Sequence, residues 1–266
     1  MRRAGGQTAH HALPTARTSC EERSVAVLLR LPTSVSEARQ CLLEGAVPVG
    51  GATLVWATWL RDGFPDQAMS LRHVPEANVL GPQELGAAVV LHRVDERVPQ
   101  VLRLAAAGVG TGAVRRAATV GGNLVGSALR CLLPAALVLD ARATVLGTDG
   151  VHATDLAEVV AKGPLLLSLR WPAPVASAYR KLPGDPGGPP PLVVASALHA
   201  EDEGRLRLRI AVRDGYDVIS TSVRCGPDVL HTLDALRATE LRDAPVEAWR
   251  IAGDQIAGLL GRPGDR

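Results

Sequence analysis

Apolar positions in this chain fall into two patterns: short unbroken runs bounded by glycine or proline, and spaced sets that share one face of a helix. Residues 25–31 are a run of the first kind and predict a strand. Ser34-Val35-Ser36-Glu37 carries the hydroxyl and carboxylate of a capping box. It predicts a helix with Val35, Ala38, Cys41 and Leu42 on one face and Gly45 at its end. Residues 46–49 predict a short strand running straight into Gly50-Gly51. Further on, residues 84–92 predict strand, 98–107 helix and 132–139 a buried helix closed by Asp140. Residues 143–146 and 165–169 predict strands, the second stopped by Pro172 and Pro174.

A proline- and glycine-rich stretch, residues 184–191, reads as a linker-like break. Beyond it residues 192–198 and 206–213 predict strands, the second alternating strictly between Leu, Ile or Val and Arg or Ala, which predicts one solvated face. Asp214-Gly215 predicts a turn. Two amphipathic helices are predicted near residues 228–239 and 246–260, the latter with Trp249, Ile256 and Leu260 on one stripe. The whole is an α+β pattern.

Composition narrows the function classes. At 266 residues the chain can bury a sizeable core. A net charge of +2, with Lys162 and Lys181 the only lysines, gives no basic patch and no reason to expect nucleic acid. Cys20, Cys41, Cys131 and Cys225 are widely spaced, so no metal or iron–sulfur site of the chain's own is expected. Residues 1–24 are polar and basic without an apolar segment, which predicts a disordered tail rather than a secretory signal. No run is long enough to span a membrane. A cytoplasmic protein acting on a small molecule is the expectation.

Candidate chemistry centres on two glycine doublets, Val49-Gly50-Gly51-Ala52-Thr53 and Thr119-Val120-Gly121-Gly122-Asn123. Glycine lets successive N–H groups converge on one point, forming a nest for an anion. One doublet is commonly a plain turn; two, each with a hydroxyl or amide beside it, suggest a diphosphate held from both sides. Trp56 and Trp59, three apart, share a helical face, for which core packing is preferred over ligand stacking. Ser127 has no His/Asp constellation around it.

With these loops placed, the chain resembles the FAD-binding subunit of the molybdenum hydroxylases, the family of xanthine and carbon monoxide dehydrogenases. The resemblance runs over residues 25–236 and is most specific at Val114-Arg115-Arg116-Ala117-Ala118-Thr119-Val120-Gly121-Gly122-Asn123-Leu124. It includes Leu31-Pro32, Val49-Gly50-Gly51-Ala52-Thr53-Leu54, Leu137-Val138-Leu139-Asp140-Ala141 and Ala178-Tyr179-Arg180-Lys181. It implies a two-subdomain FAD-binding (PCMH-type) α/β fold over residues 25–174, divided near 80, and a small C-terminal domain of antiparallel strands and helices over 175–266. It also implies an oxidoreductase subunit that relays electrons or hydride through FAD, with separate iron–sulfur and molybdopterin subunits as partners. By position, Gly50, Gly51, Ala52 and Thr53 would form one diphosphate loop, and Thr119, Gly121, Gly122 and Asn123 the other. Arg115 would brace the second loop, and Tyr179 and Lys181 would flank the flavin ring.

The chain departs from that pattern in three places. The carboxylate usual after the second loop is missing, leaving Arg130 or Cys131 near its position. A segment before Pro164 is deleted, and residues 183–191 replace an arginine-bearing stretch. These departures define a competing expectation: a flavin-independent cyclase or isomerase of specialised metabolism that reuses the vacated cleft through Tyr179, Arg115, Arg130, Trp56 and Trp59.

Overall fold

The computed structural model describes residues 27–185 and 187–261; the tail expected over residues 1–24 lies outside the described residues. The first unit is β1 (Leu28–Arg30), α1 (Val35–Leu43), β2 (Val47–Pro48), α2 (Val55–Asp62) and β3 (Gln67–Met69). Its strands form a parallel sheet in the order β1-β3-β2. The Ser34 hydroxyl accepts from the Glu37 N–H at 3.2 Å, and Glu37 accepts in return from the Thr33 N–H at 2.7 Å. One orphan donor of the first turn is thereby satisfied, and the chain entering α1 is tied to it. Gly45 ends the segment with φ +85°, a conformation glycine adopts without strain.

The second unit adds β4 (Leu80–Gly81), β5 (Glu84–Gly86), α3 (Gln100–Ala107), α4 (Gly112–Ala117), α5 (Leu133–Val138), β6 (Arg142–Gly147), β7 (Gly150–Thr154), α6 (Leu156–Lys162) and β8 (Leu165–Arg170). Its five strands are antiparallel in the order β4-β5-β8-β6-β7. The strand expected over residues 84–92 stops at Gly86, because this glycine abuts the Ala77 carbonyl where a Cβ would overlap it. The chain then turns, with the Val89 N–H on the Gly86 carbonyl at 3.2 Å, and meets Thr119 in an isolated bridge through Val90.

The third unit is β9 (Ala176–Lys181), β10 (Val193–Ala200), β11 (Leu206–Asp214), β12 (Asp217–Arg224), α7 (Val229–Arg237) and α8 (Val246–Leu260). The strands form an antiparallel sheet in the order β12-β11-β10-β9. The stretch read as a linker is instead the loop of the β9–β10 hairpin, closed by the Leu182 N–H on the Leu192 carbonyl at 2.9 Å. Asp214-Gly215 turns β11 into β12, with Gly215 at φ +60°.

Alternation divides this last sheet into two covered faces. Val194, Leu198, Leu208, Ile210 and Val212 pack on Leu236, Ile251, Ile256 and Leu259 of α7 and α8. The opposite face was expected to be solvated on β11. It is not: Ala195, Ala197 and Ala211 there join Leu102, Ala105, Leu133 and Ala136 in the largest core, and Arg213 beside them is buried. Small alanines let α3 and α5 lie close to the strands. The longer polar side chains of this face then serve helix ends. Ser177 Oγ accepts from the Val101 N–H at 3.2 Å in the first turn of α3, and Lys181 Nζ donates to the Gly108 carbonyl at its end at 2.7 Å. His199 Nε2 lies 2.8 Å from the Val138 carbonyl closing α5, and Arg209 pairs with Asp140 at 2.8 Å. Such contacts satisfy carbonyls and amides that a helix leaves open at its ends.

Candidate functional site

The two glycine doublets, some seventy residues apart in sequence, come into direct contact. β2 delivers the first, and the Val49 N–H is still tied to the Met69 carbonyl at 2.8 Å. Gly50 then presses on the Thr119 side chain and Gly51 on the Ala117 carbonyl, so closely that a Cβ at either position would overlap them. Ala52 follows in the left-handed region at φ +55°, a strained conformation for a residue with a side chain. The N–H groups of Gly50, Gly51, Ala52 and Thr53 have no acceptor among the described residues. Consecutive open donors beside a left-handed residue are the components of an anion nest, and α2 follows them.

The second doublet is built differently. Its amides are used within the protein: Val120 on the Val89 carbonyl at 3.0 Å, Gly121 on Ala87 at 2.8 Å and Gly122 on the Thr119 hydroxyl at 3.1 Å. The Asn123 N–H bonds the Thr119 carbonyl at 2.9 Å, and residues Gly122–Gly126 form a π-helical turn. Asn123, buried, accepts from the Leu132 N–H at 2.9 Å and so anchors the entry to α5. Arg115 reaches back along α4 to the Val109 and Gly110 carbonyls at 3.0 and 2.8 Å. This loop is a rigid wall against which the first is seated.

Past the wall, residues 127–131 run toward the third sheet. Arg130 adopts φ +39°, donates to the Val160 carbonyl at 3.4 Å, and leaves its Nε buried without an acceptor among the described residues. Tyr179 and Lys181 project from β9 on the face that meets α3; Lys181 is committed to Gly108. Burial pushes the Tyr179 phenol up to about 12, against the opposing pull of the nearby Arg213 charge; the Cys131 thiol adds to the rise. The structure thus gathers Gly50 to Thr53 with Thr119, and separately Tyr179 with Cys131 and Arg213.

Arg213 escapes a reading of the sequence because it continues an Arg-x-Arg alternation normally typical of a solvated strand face. What buries it lies over that face, where the Leu129 and Pro191 carbonyls accept from its guanidinium. Trp56 and Trp59 do share a face, but α2 buries no residue, so the preferred core role is not what they have. Instead Trp56 lies edge-on to Phe64, ring centroids 5.4 Å apart, and is 55% exposed. Among the described residues no cluster of three His, Cys, Asp or Glu is placed to hold a metal, and no helix is long and apolar enough to cross a membrane.

Comparison with known proteins places these features in a family. Residues 25–168, more than half of the chain, match the model described as the FAD binding domain in molybdopterin dehydrogenase. No curated protein matches the sequence. Among solved structures, a chain of the reconstituted CO dehydrogenase from Oligotropha carboxidovorans is similar, with TM-score 0.67 and 18% identity over 91% of this chain and 98% of that one. A chain of quinoline 2-oxidoreductase from Pseudomonas putida 86 aligns with TM-score 0.64 and 20% identity over 89% and 98%. The carbon monoxide dehydrogenase from Hydrogenophaga pseudoflava that lacks the Mo-pyranopterin moiety gives TM-score 0.61 and 19% identity over 88% and 96%. At such identities these structures bear on the fold.

Proposed function

The chain belongs to the family of FAD-binding domains of molybdopterin dehydrogenases, and FAD is its cofactor; from that premise we propose that it is the flavin-carrying subunit of an oxidoreductase. Two features of the structure fit FAD. The cradle at Gly50 and Gly51 admits no Cβ and leaves four consecutive N–H groups open. Beyond it, Arg130 and Arg213 each keep a buried Nε–H without an acceptor among the described residues, next to the segment that leaves the second loop. A diphosphate and an oxygen-rich polyol and ring supply the negative charge and the acceptors those donors lack.

The division of labour follows from the hydrogen bonds. The N–H groups of Gly50, Gly51, Ala52 and Thr53 hold the diphosphate, and Thr119, Gly121 and Gly122 form the wall opposite. Asn123 and Arg115 act through that wall, one fixing the entry to α5 and the other the 109–110 turn. Tyr179 offers a phenol that stays protonated and can donate a hydrogen bond in the cleft. Arg130 offers its free Nε–H there. When bound, FAD accepts electrons from a donor and passes them to an acceptor; the protein binds, orients and shields it. CO dehydrogenase and quinoline 2-oxidoreductase, which share this fold, make molybdopterin and iron–sulfur subunits the partners to seek. No finding supports the flavin-independent cyclase or isomerase.

The apposition of Gly50-Gly51 on Ala117 to Thr119 carries this reading. Visible absorbance of the purified protein, followed by titration with FAD, tests it. Flavin bands or saturable one-to-one uptake are expected; a colourless protein that ignores added FAD would overturn it.

A further inference from the structure

One buried charge is left without a task by the diphosphate cradle. Arg213 on β11 is 1% exposed and has no carboxylate partner among the described residues. Two carbonyls, Leu129 at 3.3 Å and Pro191 at 3.2 Å, take two of its five N–H groups, and its Nε–H has no acceptor among the described residues. A buried charge without an opposite charge beside it is costly to keep. A chain that needed only to tie Leu129 to Pro191 would be served by a neutral donor.

The surroundings say what the charge faces. Leu129 belongs to the segment leaving the second glycine loop, and Pro191 to the β9–β10 hairpin loop. Across the sheet Arg213 pairs through Val193 with Lys181, and Ala211, two residues earlier, pairs through Ala195 with Tyr179. All of these side chains therefore share one face. Arg213 thus sits where the loop-2 segment, the hairpin loop and the tyrosine strand meet.

We propose that Arg213 supplies the fixed positive charge of the flavin cleft and favours reduced over oxidised FAD. The inference rests on the FAD reading above. Electrons arriving on the ring add negative charge, and a cation held in a dry, low-dielectric setting stabilises that charge more than water does.

Arg213→Met removes the charge and Arg213→Lys keeps it. Potentiometric titration of the FAD-loaded protein with a chemical reductant should show a lower midpoint for Arg213→Met. The expected change is about a tenfold loss in preference for the reduced cofactor, or about 30 mV for a two-electron couple. Arg213→Lys should stay near the wild-type value. The melting temperature of the apo Arg213→Met protein should be equal or higher, since an uncompensated buried charge is gone. Should Arg213→Met not fold, Arg213→Gln keeps neutral donors for Leu129 and Pro191 and carries the same measurement. An unmoved midpoint in a charge-free variant that binds FAD overturns this inference alone. Wild-type protein that takes up no FAD overturns the flavin reading, and this inference with it.

Discussion

Lys181 and Arg115 hold the same turn from opposite sides. Lys181, from the edge strand of the third sheet, donates to the Gly108 carbonyl at 2.7 Å; Arg115, from α4, donates to Val109 and Gly110 at 3.0 and 2.8 Å. Three successive carbonyls at the end of α3 are thereby covered by two cations, the sign that the carbonyl end of a helix favours. The turn connects α3 to α4, and α4 leads directly into the wall of the proposed diphosphate site. Lys181→Met and Arg115→Met should each lower stability by about 1–2 kcal/mol in urea unfolding. The double variant should lose less than the sum, because both side chains restrain one segment. Strict additivity would show that the turn is not a shared element.

Gly51→Ala places a Cβ on the Ala117 carbonyl and must push the two doublets apart. FAD affinity, followed by fluorescence quenching, should fall on the order of a hundredfold, about 2.7 kcal/mol. Gly81→Ala is the control: nothing lies within 4 Å of its added Cβ, and its φ is ordinary. Equal FAD affinity in both variants would remove the loop contact from the binding site.

Asn123→Ala leaves the Leu132 N–H buried without its acceptor. A loss of about 1–3 kcal/mol in unfolding free energy is expected. Asn123→Asp keeps an oxygen in place and should lose less. If the two variants are equally damaged, the amide's role is not that of acceptor for Leu132.

Alkaline pH should weaken the fold through Tyr179. Its pKa rises from 10.0 to about 12 because burial disfavours the phenolate. Above pH 10 the unfolded chain therefore releases this proton before the folded one does. The unfolded state then binds fewer protons, and stability falls as pH rises from about 10 to about 12. The loss is on the order of 2 kcal/mol, and Tyr179→Phe should abolish it. Tyr216 is the other tyrosine, so phenolate absorbance in a Tyr216→Phe background reports Tyr179 alone; a midpoint near that of free tyrosine would refute the burial argument.

Local rules account for much of what is legible in the residues. Ser34 and Glu37 announce the start of α1, and Gly45 its end, because capping depends on side chains within a few residues. The same holds for α3, α5, α7 and α8, whose apolar spacing is intact, and for the Asp214-Gly215 turn. The glycine doublets stand out because glycine marks places where the backbone can turn or be approached closely; in the first, Gly50 and Gly51 admit no Cβ.

Tertiary packing decides the rest. Residues 84–92 have strand composition, yet Gly86 must fit against Ala77 and the apolar run after it turns to meet Thr119. The proline-rich stretch has a linker's composition, but Leu182 and Leu192 close it into a hairpin. From sequence alone the two doublets were equal; the folded chain makes one a set of open donors and the other a braced wall, according to which N–H groups find partners. Arg213 shows the limit most clearly. Alternation correctly places it on one face of β11 and says nothing about what covers that face. Burial is a property of two surfaces, and the second surface, at Leu129 and Pro191, is brought to Arg213 only by the fold.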